Sequence, residues 1–215
     1  IRRVTHGWQA PPPARSPERP IVVLVGLDGF LPRYLDRPES RHLRQLANEG
    51  ARARWLVPVF PTLTFPNFYT IATGLYPAHH GIVSNTMYDT AFKAGFSISG
   101  PGATESRWWG GEPIWVTAEK QGMRSASFFW VGSEAAIEGI RPSIYKKYDN
   151  KVTFSERVDS VLAWLRLPDA SRPRVITLYF DEPDHTEHEK GPDSPEAKAA
   201  VMKSDSSWHR NSTAA

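Results

Sequence analysis

An α/β fold with a mainly parallel central sheet flanked by helices is predicted by three observations. Two short runs, 21–27 and 174–180, are apolar without alternating, the pattern of strands buried on both faces. Segments with apolar residues at helical spacing lie between them. Each run is followed closely by acids, Asp28 after the first and Asp181 and Asp184 after the second. Ligand sites in such sheets lie beyond the carboxyl ends of the strands.

The elements follow in order. Residues 1–20 hold Pro11, Pro12, Pro13, Pro17 and Pro20 among Arg and Ser, which predicts an extended, mobile leader. Leu43, Leu46 and Ala47 share a helical face in a segment that stops at Gly50. Trp55, Val57 and Val59 alternate and predict a second strand within 51–59. Residues 66–73 predict a helix ended by Gly74, and 85–112, rich in Gly, Ser and aromatics, predict loops and short irregular strands forming a pocket wall. A short helix is expected over 113–121, with Pro113 near its first turn. Ser125 to Trp130 is strand-like. Val158, Val161, Leu162 and Leu165 set a helix over 153–165, and Ser194-Pro195-Glu196 is a helix start with Ser as N-cap. The stretch 204–215 is polar, breaks the helical pattern begun at Ser194 and is taken as an aberrant tail to a catalytic-domain segment spanning 21–203. There are no internal repeats.

Composition narrows the function. The 215 residues suit one domain, and 40% hydrophobic content rules out wholesale disorder. Interspersed charges, 26 basic against 23 acidic, leave no nucleic-acid or membrane footprint. No apolar run is long enough to span a bilayer, and no secretory signal is visible. The absence of cysteine excludes disulfides, thiolate zinc ligands and a cysteine nucleophile.

Two segments carry chemistry. The first apolar strand delivers Asp28; then Thr64 stands just before Pro66 at the start of an apolar helical pattern. An acid at a strand end and a hydroxyl at a helix start are parts of a metal-assisted phosphoryl-transfer site. A hydroxyl needs a metal or base to become a nucleophile at neutral pH, and a helix start offers N–H groups to phosphate oxygens. Blander roles exist. Thr64 would serve as a helix N-cap, and Asp28 as a turn cap. Asp181 and His185 share the four-residue spacing of Asp184 and His188. His79 and His80 are given a structural or surface role, because adjacent side chains rarely converge, and Trp108, Trp109 and Trp115 are assigned to packing.

The stretches Asp28-Gly, Pro61-Thr-Leu-Thr-Phe-Pro-Asn67, Thr73-Gly-Leu-Tyr-Pro, His80-Gly-Ile, Asn85, Trp108-Trp-Gly-Gly-Glu-Pro-Ile-Trp115 and Asp184-His-Thr-Glu-His188-Glu-Lys-Gly-Pro192 stand in one order. With them the chain resembles the nucleotide pyrophosphatase/phosphodiesterase family of the alkaline phosphatase superfamily, closest to its bacterial members. The resemblance implies an alkaline-phosphatase-like fold and a two-zinc hydrolase acting on nucleotide phosphodiesters and pyrophosphates. By that resemblance Thr64 is the nucleophile, forming a phospho-threonine intermediate. Asp28 and Thr64 belong to one Zn2+, Asp184 and His188 to the other. Asn85 and the Phe65 N–H donate to a phosphate oxygen. Phe65, Tyr148 and Tyr179 wall the base pocket, although each fits a core role as well. The family's later Asp-His pair and later histidine have no counterpart here, which reads as a C-terminal truncation. The expectations that follow are an incomplete sheet with an unpaired edge, weakened zinc sites and impaired activity. Family members of this kind are periplasmic or secreted. A choline-phospholipid phosphodiesterase of the same superfamily and a non-catalytic nucleotide-binding fragment are the alternative readings.

Overall fold

The structure, a computed structural model, describes residues 20–209. Its strands are β1 (Val22–Leu27), β2 (Thr86–Asp89), β3 (Ala94–Ser97), β4 (Ser125–Phe128), β5 (Ile144–Lys146) and β6 (Val175–Phe180). Its α-helices are α1 (Arg41–Glu49), α2 (Thr64–Thr73), α3 (Pro77–His80), α4 (Ile114–Lys120), α5 (Phe154–Leu165), α6 (Asp184–Lys190) and α7 (Pro195–His209). The main sheet has the order β1-β6-β4-β5, and every pair in it is parallel. β6 is buried at each residue, as its unbroken apolar run requires. The outer side of β1 has no partner strand among the described residues, and Val22 and Val23 at its start are exposed. β2 and β3 form a separate antiparallel hairpin.

Local chemistry explains the helix starts. Thr153 Oγ1 accepts the Glu156 N–H (3.3 Å), and Glu156 Oε2 accepts the Thr153 N–H (2.7 Å), a capping box that opens α5. Ser194 Oγ accepts the Ala197 N–H at 3.0 Å and opens α7. α4 and α5 pack on the sheet and join its apolar faces to one aromatic-rich core around Trp115, Trp130, Val158 and Ile176.

Three expectations change. Residues 51–59 form no strand, and Trp55, Leu56 and Val57 stand exposed. Alternation supplies a face, but a strand also needs a neighbour for its N–H and C=O groups. Here the Asn67 side chain takes that part, accepting the Val59 N–H at 2.8 Å and donating to the carbonyls of Val59 and Pro61 at 3.3 and 3.0 Å. The short strand β5 was not foreseen. α7 does not stop near 203 but runs to His209. The polar residues that break its apolar period are buried against α1: Asp205 accepts the N–H groups of His42 (3.1 Å) and Leu43 (2.7 Å) and caps that helix. The proline-rich leader, up to residue 19, and residues 210–215 lie outside the described residues.

His80 is fully buried, as a structural role requires. Its Nδ1 accepts the Ile82 N–H at 3.2 Å, so the ring proton sits on Nε2, 2.9 Å from Thr70 Oγ1. Burial pushes its pKa down to about 4, from 6.5 for an ordinary histidine. The unfolded chain therefore protonates first. The contribution of His80 is complete above pH 6.5 and is lost as pH falls toward about 4. In urea unfolding, the stability difference between the wild type and a His80→Asn variant should shrink by on the order of 2–3 kcal/mol across that window. The variant should start less stable and lack the part of the pH-dependent loss that His80 supplies.

Candidate active site

β1 and α2 are brought together by a missing side chain. A Cβ on Gly26, in mid-strand, would lie 2.3 Å from the Phe68 ring, so only glycine lets α2 settle this close to the sheet. The result places Thr64, the first residue of α2, beside the end of β1. Thr64 is not the helix cap, a position taken by Leu63 without a side-chain bond. Its hydroxyl donates instead to Asp28 Oδ2 at 3.0 Å.

Asp28 is fixed from several sides. Its N–H donates to the Phe180 carbonyl (3.0 Å), and its carbonyl accepts the Asp184 N–H (3.2 Å). Oδ1 accepts the Gly29 N–H at 3.1 Å, and Oδ2 accepts the Tyr179 hydroxyl at 2.7 Å as well as that of Thr64. Burial raises the carboxyl pKa to about 6; the neighbouring Asp184 adds to the rise, and the hydroxyls of Tyr179 and Thr64 oppose it. Burial likewise raises Asp184. Two half-buried acids therefore share one place where no described cation balances both. His188 lies one turn on from Asp184 along α6, its Nε2 3.5 Å from Asp184 Oδ2. The rival acid Asp181 is engaged by Arg157, with Nη1 to Oδ1 at 2.8 Å, and His185 approaches Glu189 at 3.9 Å.

The other end of the site is aromatic. Phe65 packs against Phe96 and Trp109 with ring centres 6.1 and 6.0 Å away. The Trp109 indole N–H is anchored on the Ala103 carbonyl, and Trp108, Trp109 and Trp115 are all buried, as packing residues should be. The Tyr148 N–H donates to Glu134 Oε1 at 2.9 Å, and its ring leans on Phe129 at 5.1 Å. Asn85 sits at the foot of the β2–β3 hairpin, where its carbonyl accepts the Ile98 N–H (3.1 Å). Its Oδ1 accepts the Phe65 N–H at 3.0 Å. The Phe65 N–H is thus already bonded, contrary to the expectation that it meets a phosphate; Asn85 Nδ2 is the donor left over. Every residue singled out as a site candidate (Asp28, Thr64, Phe65, Asn85, Tyr148, Tyr179, Asp184 and His188) lines one cavity of about 450 Å³.

The donors suit divalent cations in kind, carboxylate and imidazole with a hydroxyl between, and the raised acids would be relieved by positive charge. They pair as Asp28 with Thr64 and Asp184 with His188. No group of three or more His, Asp or Glu converges on one point among the described residues.

The model of the type I phosphodiesterase / nucleotide pyrophosphatase family matches residues 22–209. The chain belongs to this family. It is 45% identical over 190 residues to a venom phosphodiesterase of Macrovipera lebetinus, covering 87% of this chain and 22% of the relative. It is 45% identical over 193 residues to human ectonucleotide pyrophosphatase/phosphodiesterase family member 1, covering 87% of this chain and 20% of that one. Murine ectonucleotide pyrophosphatase/phosphodiesterase 5, solved as an inactive threonine-to-alanine variant in complex with AMP, superimposes with a TM-score of 0.84 at 31% identity, over 89% of this chain and 51% of that one. The parallel sheet with flanking helices is therefore the alkaline-phosphatase-like fold of that relative. The chain spans about a fifth of the length of the curated relatives it matches. None of these three is bacterial, so the bacterial affinity read from the motifs has no support among them.

In this phosphodiesterase-family chain, Gly29 and Tyr34, the latter outside the motifs, hold α6 to the loop after β1. A Cβ on Gly29, whose φ is +68°, would lie 2.8 Å from Asp184 Cα. Tyr34 is fully buried, with the Arg37 guanidinium 4.4 Å from its ring centre. Its hydroxyl lies 2.5 Å from Glu187 Oε1 and 3.0 Å from the Pro192 carbonyl. Burial and Glu187 push the phenol up to about 12, so it stays a donor. Tyr34 was missed because one tyrosine in a polar stretch gives no periodic signal. Arg157 was missed too, but its signal was present: a charge at 157 on the apolar face set by Phe154, Val158 and Val161. Tyr34→Phe should cost about 1–3 kcal/mol. Amide exchange should rise across 184–192 more than in β6; equal rises in both would mean that Tyr34 does not latch α6.

Proposed function

We propose that this chain carries the nucleophile and nucleotide-binding part of a zinc-dependent hydrolase that cleaves nucleotide phosphodiester and pyrophosphate bonds, releasing nucleoside 5′-monophosphate. One observation carries the reading: the Thr64 hydroxyl, 3.0 Å from Asp28 Oδ2, opens onto a cavity that is acidic at one end and aromatic at the other. The inactive threonine-to-alanine form of the murine relative with AMP bound supports both the residue type and the ligand class.

Zinc, when bound, would stabilise charge on the attacking and leaving oxygens. Asp28 with Thr64 would hold one ion, and Asp184 with His188 the other. Asp28 orients the Thr64 hydroxyl and takes its hydrogen bond, so the attacking oxygen keeps a lone pair toward the cavity. Thr64 Oγ passes its proton to Asp28 Oδ2 and bonds to phosphorus as the leaving oxygen departs with the electron pair of the broken P–O bond, giving a phospho-threonine. Water then cleaves that ester, returns a proton to Thr64 and frees the monophosphate. Asn85 Nδ2 donates to a non-bridging phosphate oxygen. Phe65 and Tyr148 flank the base, whose faces stack with little preference among bases. Tyr179 has a second role: its hydroxyl is spent on Asp28, so it holds the acid while its ring lines the cavity.

A catalytic zinc commonly takes three protein ligands and an open position. The two donors that the described residues offer each ion therefore give weak metal binding and slow turnover. We place the working protein outside the cytoplasm, in keeping with relatives named as a venom enzyme and as ectoenzymes. No described helix is long and apolar enough to cross a membrane.

The test is zinc-dependent release of nitrophenol from the p-nitrophenyl ester of a nucleoside 5′-monophosphate. A rate far below the ~10 s⁻¹ of a typical enzyme is expected, and Thr64→Ala should abolish it while leaving the circular dichroism intact. Ordinary enzymatic turnover would refute the weakened-site reading. Undiminished release by Thr64→Ala would refute the nucleophile. Faster release from p-nitrophenyl phosphocholine would move the substrate to choline lipids.

A further inference from the structure

Tyr148, Asp181 and His185 line two cavities at once. The second, of about 260 Å³, is built from the loop before α5, α5 itself, the turn after β6 and α7. It is several times the ~30 Å³ that a water molecule occupies in the liquid, so a phosphate-sized anion fits with water to spare.

At its wall lies Arg157, whose side chain is only 1% exposed. Nε donates to the Val152 carbonyl at 3.2 Å; Nη1 donates to the Tyr179 carbonyl at 3.1 Å and to Asp181 Oδ1 at 2.8 Å. Nη2 has no partner among the described residues. The rings of Phe129, Phe154 and Phe180 surround the guanidinium at 4.9 to 5.8 Å. Nη2 is not cut off from solvent, so it can donate to a ligand that enters the cavity.

The charges facing this space do not cancel. Lys151, Arg157 and Lys203 stand against Asp181 and Glu182, with His185 beside them. Asp181 is already paired with Arg157. Both Glu182 oxygens turn to Thr186, accepting its N–H at 3.1 Å and its hydroxyl at 3.0 Å. No described carboxylate pairs with Lys151 or Lys203, and Lys203 Nζ lies 5.0 Å from the Phe154 ring centre.

We infer that this cavity is an anion subsite that takes a phosphate group, with Arg157 Nη2 as the donor held in place by the bonds of Nε and Nη1, and Lys151 and Lys203 as the mobile ones. Because Tyr148 also borders the base cavity, the phosphate is a second one carried by a bound nucleotide, remote from the phosphate beside Thr64. Inorganic phosphate offers the same chemistry. The nucleotide source rests on the function proposed above; the subsite does not.

The test has two arms. Inorganic phosphate is titrated into the metal-free chain and followed by NMR. Shifts are expected at Lys151, Thr153 and Arg157, with a Kd at least ten-fold weaker in Lys151→Ala/Lys203→Ala, whose replaced side chains are exposed and not needed for folding. An unchanged Kd in that double variant, or shifts confined to Thr64 and Asn85, would overturn the subsite. In the second arm AMP is compared with adenosine 3′,5′-bisphosphate. Tighter bisphosphate binding that vanishes in the double variant assigns the subsite to nucleotides. Equal binding of the two assigns it to free phosphate. If neither nucleotide binds while the phosphate arm holds, the nucleotide reading fails and the subsite stands.

Discussion

The carboxylate of Asp28 is the point on which the site turns. Its backbone joins the end of β6 to the start of α6, through the Phe180 carbonyl and the Asp184 N–H. Its Oδ2 gathers the hydroxyls of Thr64 and Tyr179, one from α2 and one from β6. Elements distant in sequence therefore meet at one acid because hydrogen-bond geometry leaves them little choice. Take away the acid, and Thr64 becomes an ordinary residue at a helix start.

That arrangement is electrostatically expensive. Burial works against the charge on Asp28, and Asp184 beside it makes matters worse. Stability alone would favour neutral groups here. A fold that keeps two acids close in a half-buried place stores an affinity for positive charge, and the proposed metal binding would draw on it. Around it the packing is rigid: Phe68 against Gly26, Gly29 against Asp184, and the tryptophans behind Phe65 leave little room for the hydroxyl and the acids to drift apart. Preorganisation of this kind is what the nucleophile role proposed for Thr64 requires.

Much of this was legible beforehand, for identifiable reasons. Buried parallel strands announce themselves by unbroken apolar runs, so β1 and β6 and the acids beyond them stood out. Val158, Val161, Leu162 and Leu165 marked one helix by their spacing, and Ser194 with Pro195 marked the start of another by local chemistry. What stayed hidden depended on distant partners. The alternation of Trp55, Val57 and Val59 looked like a strand, yet no strand among the described residues pairs with it. Asp205 looked like part of a broken pattern until α1 was seen to need a cap. The Phe65 N–H was assigned to a substrate because nothing in the sequence says that Asn85, twenty residues on, already accepts it. Arg157 shows a middle case, where an anomalous charge on an apolar stripe was visible but its three-sided bonding was not.

The most direct test of the central claim is a zinc titration of this chain followed by NMR of the Asp28 and Asp184 carboxyl carbons and the histidine rings. The account predicts that Asp28, Asp184 and His188 respond over the same zinc range, that the Thr64 resonances move with them, and that His79 and His80 do not respond. Zinc that perturbs His79 or His185 while Asp28 and Thr64 stay unchanged would contradict it.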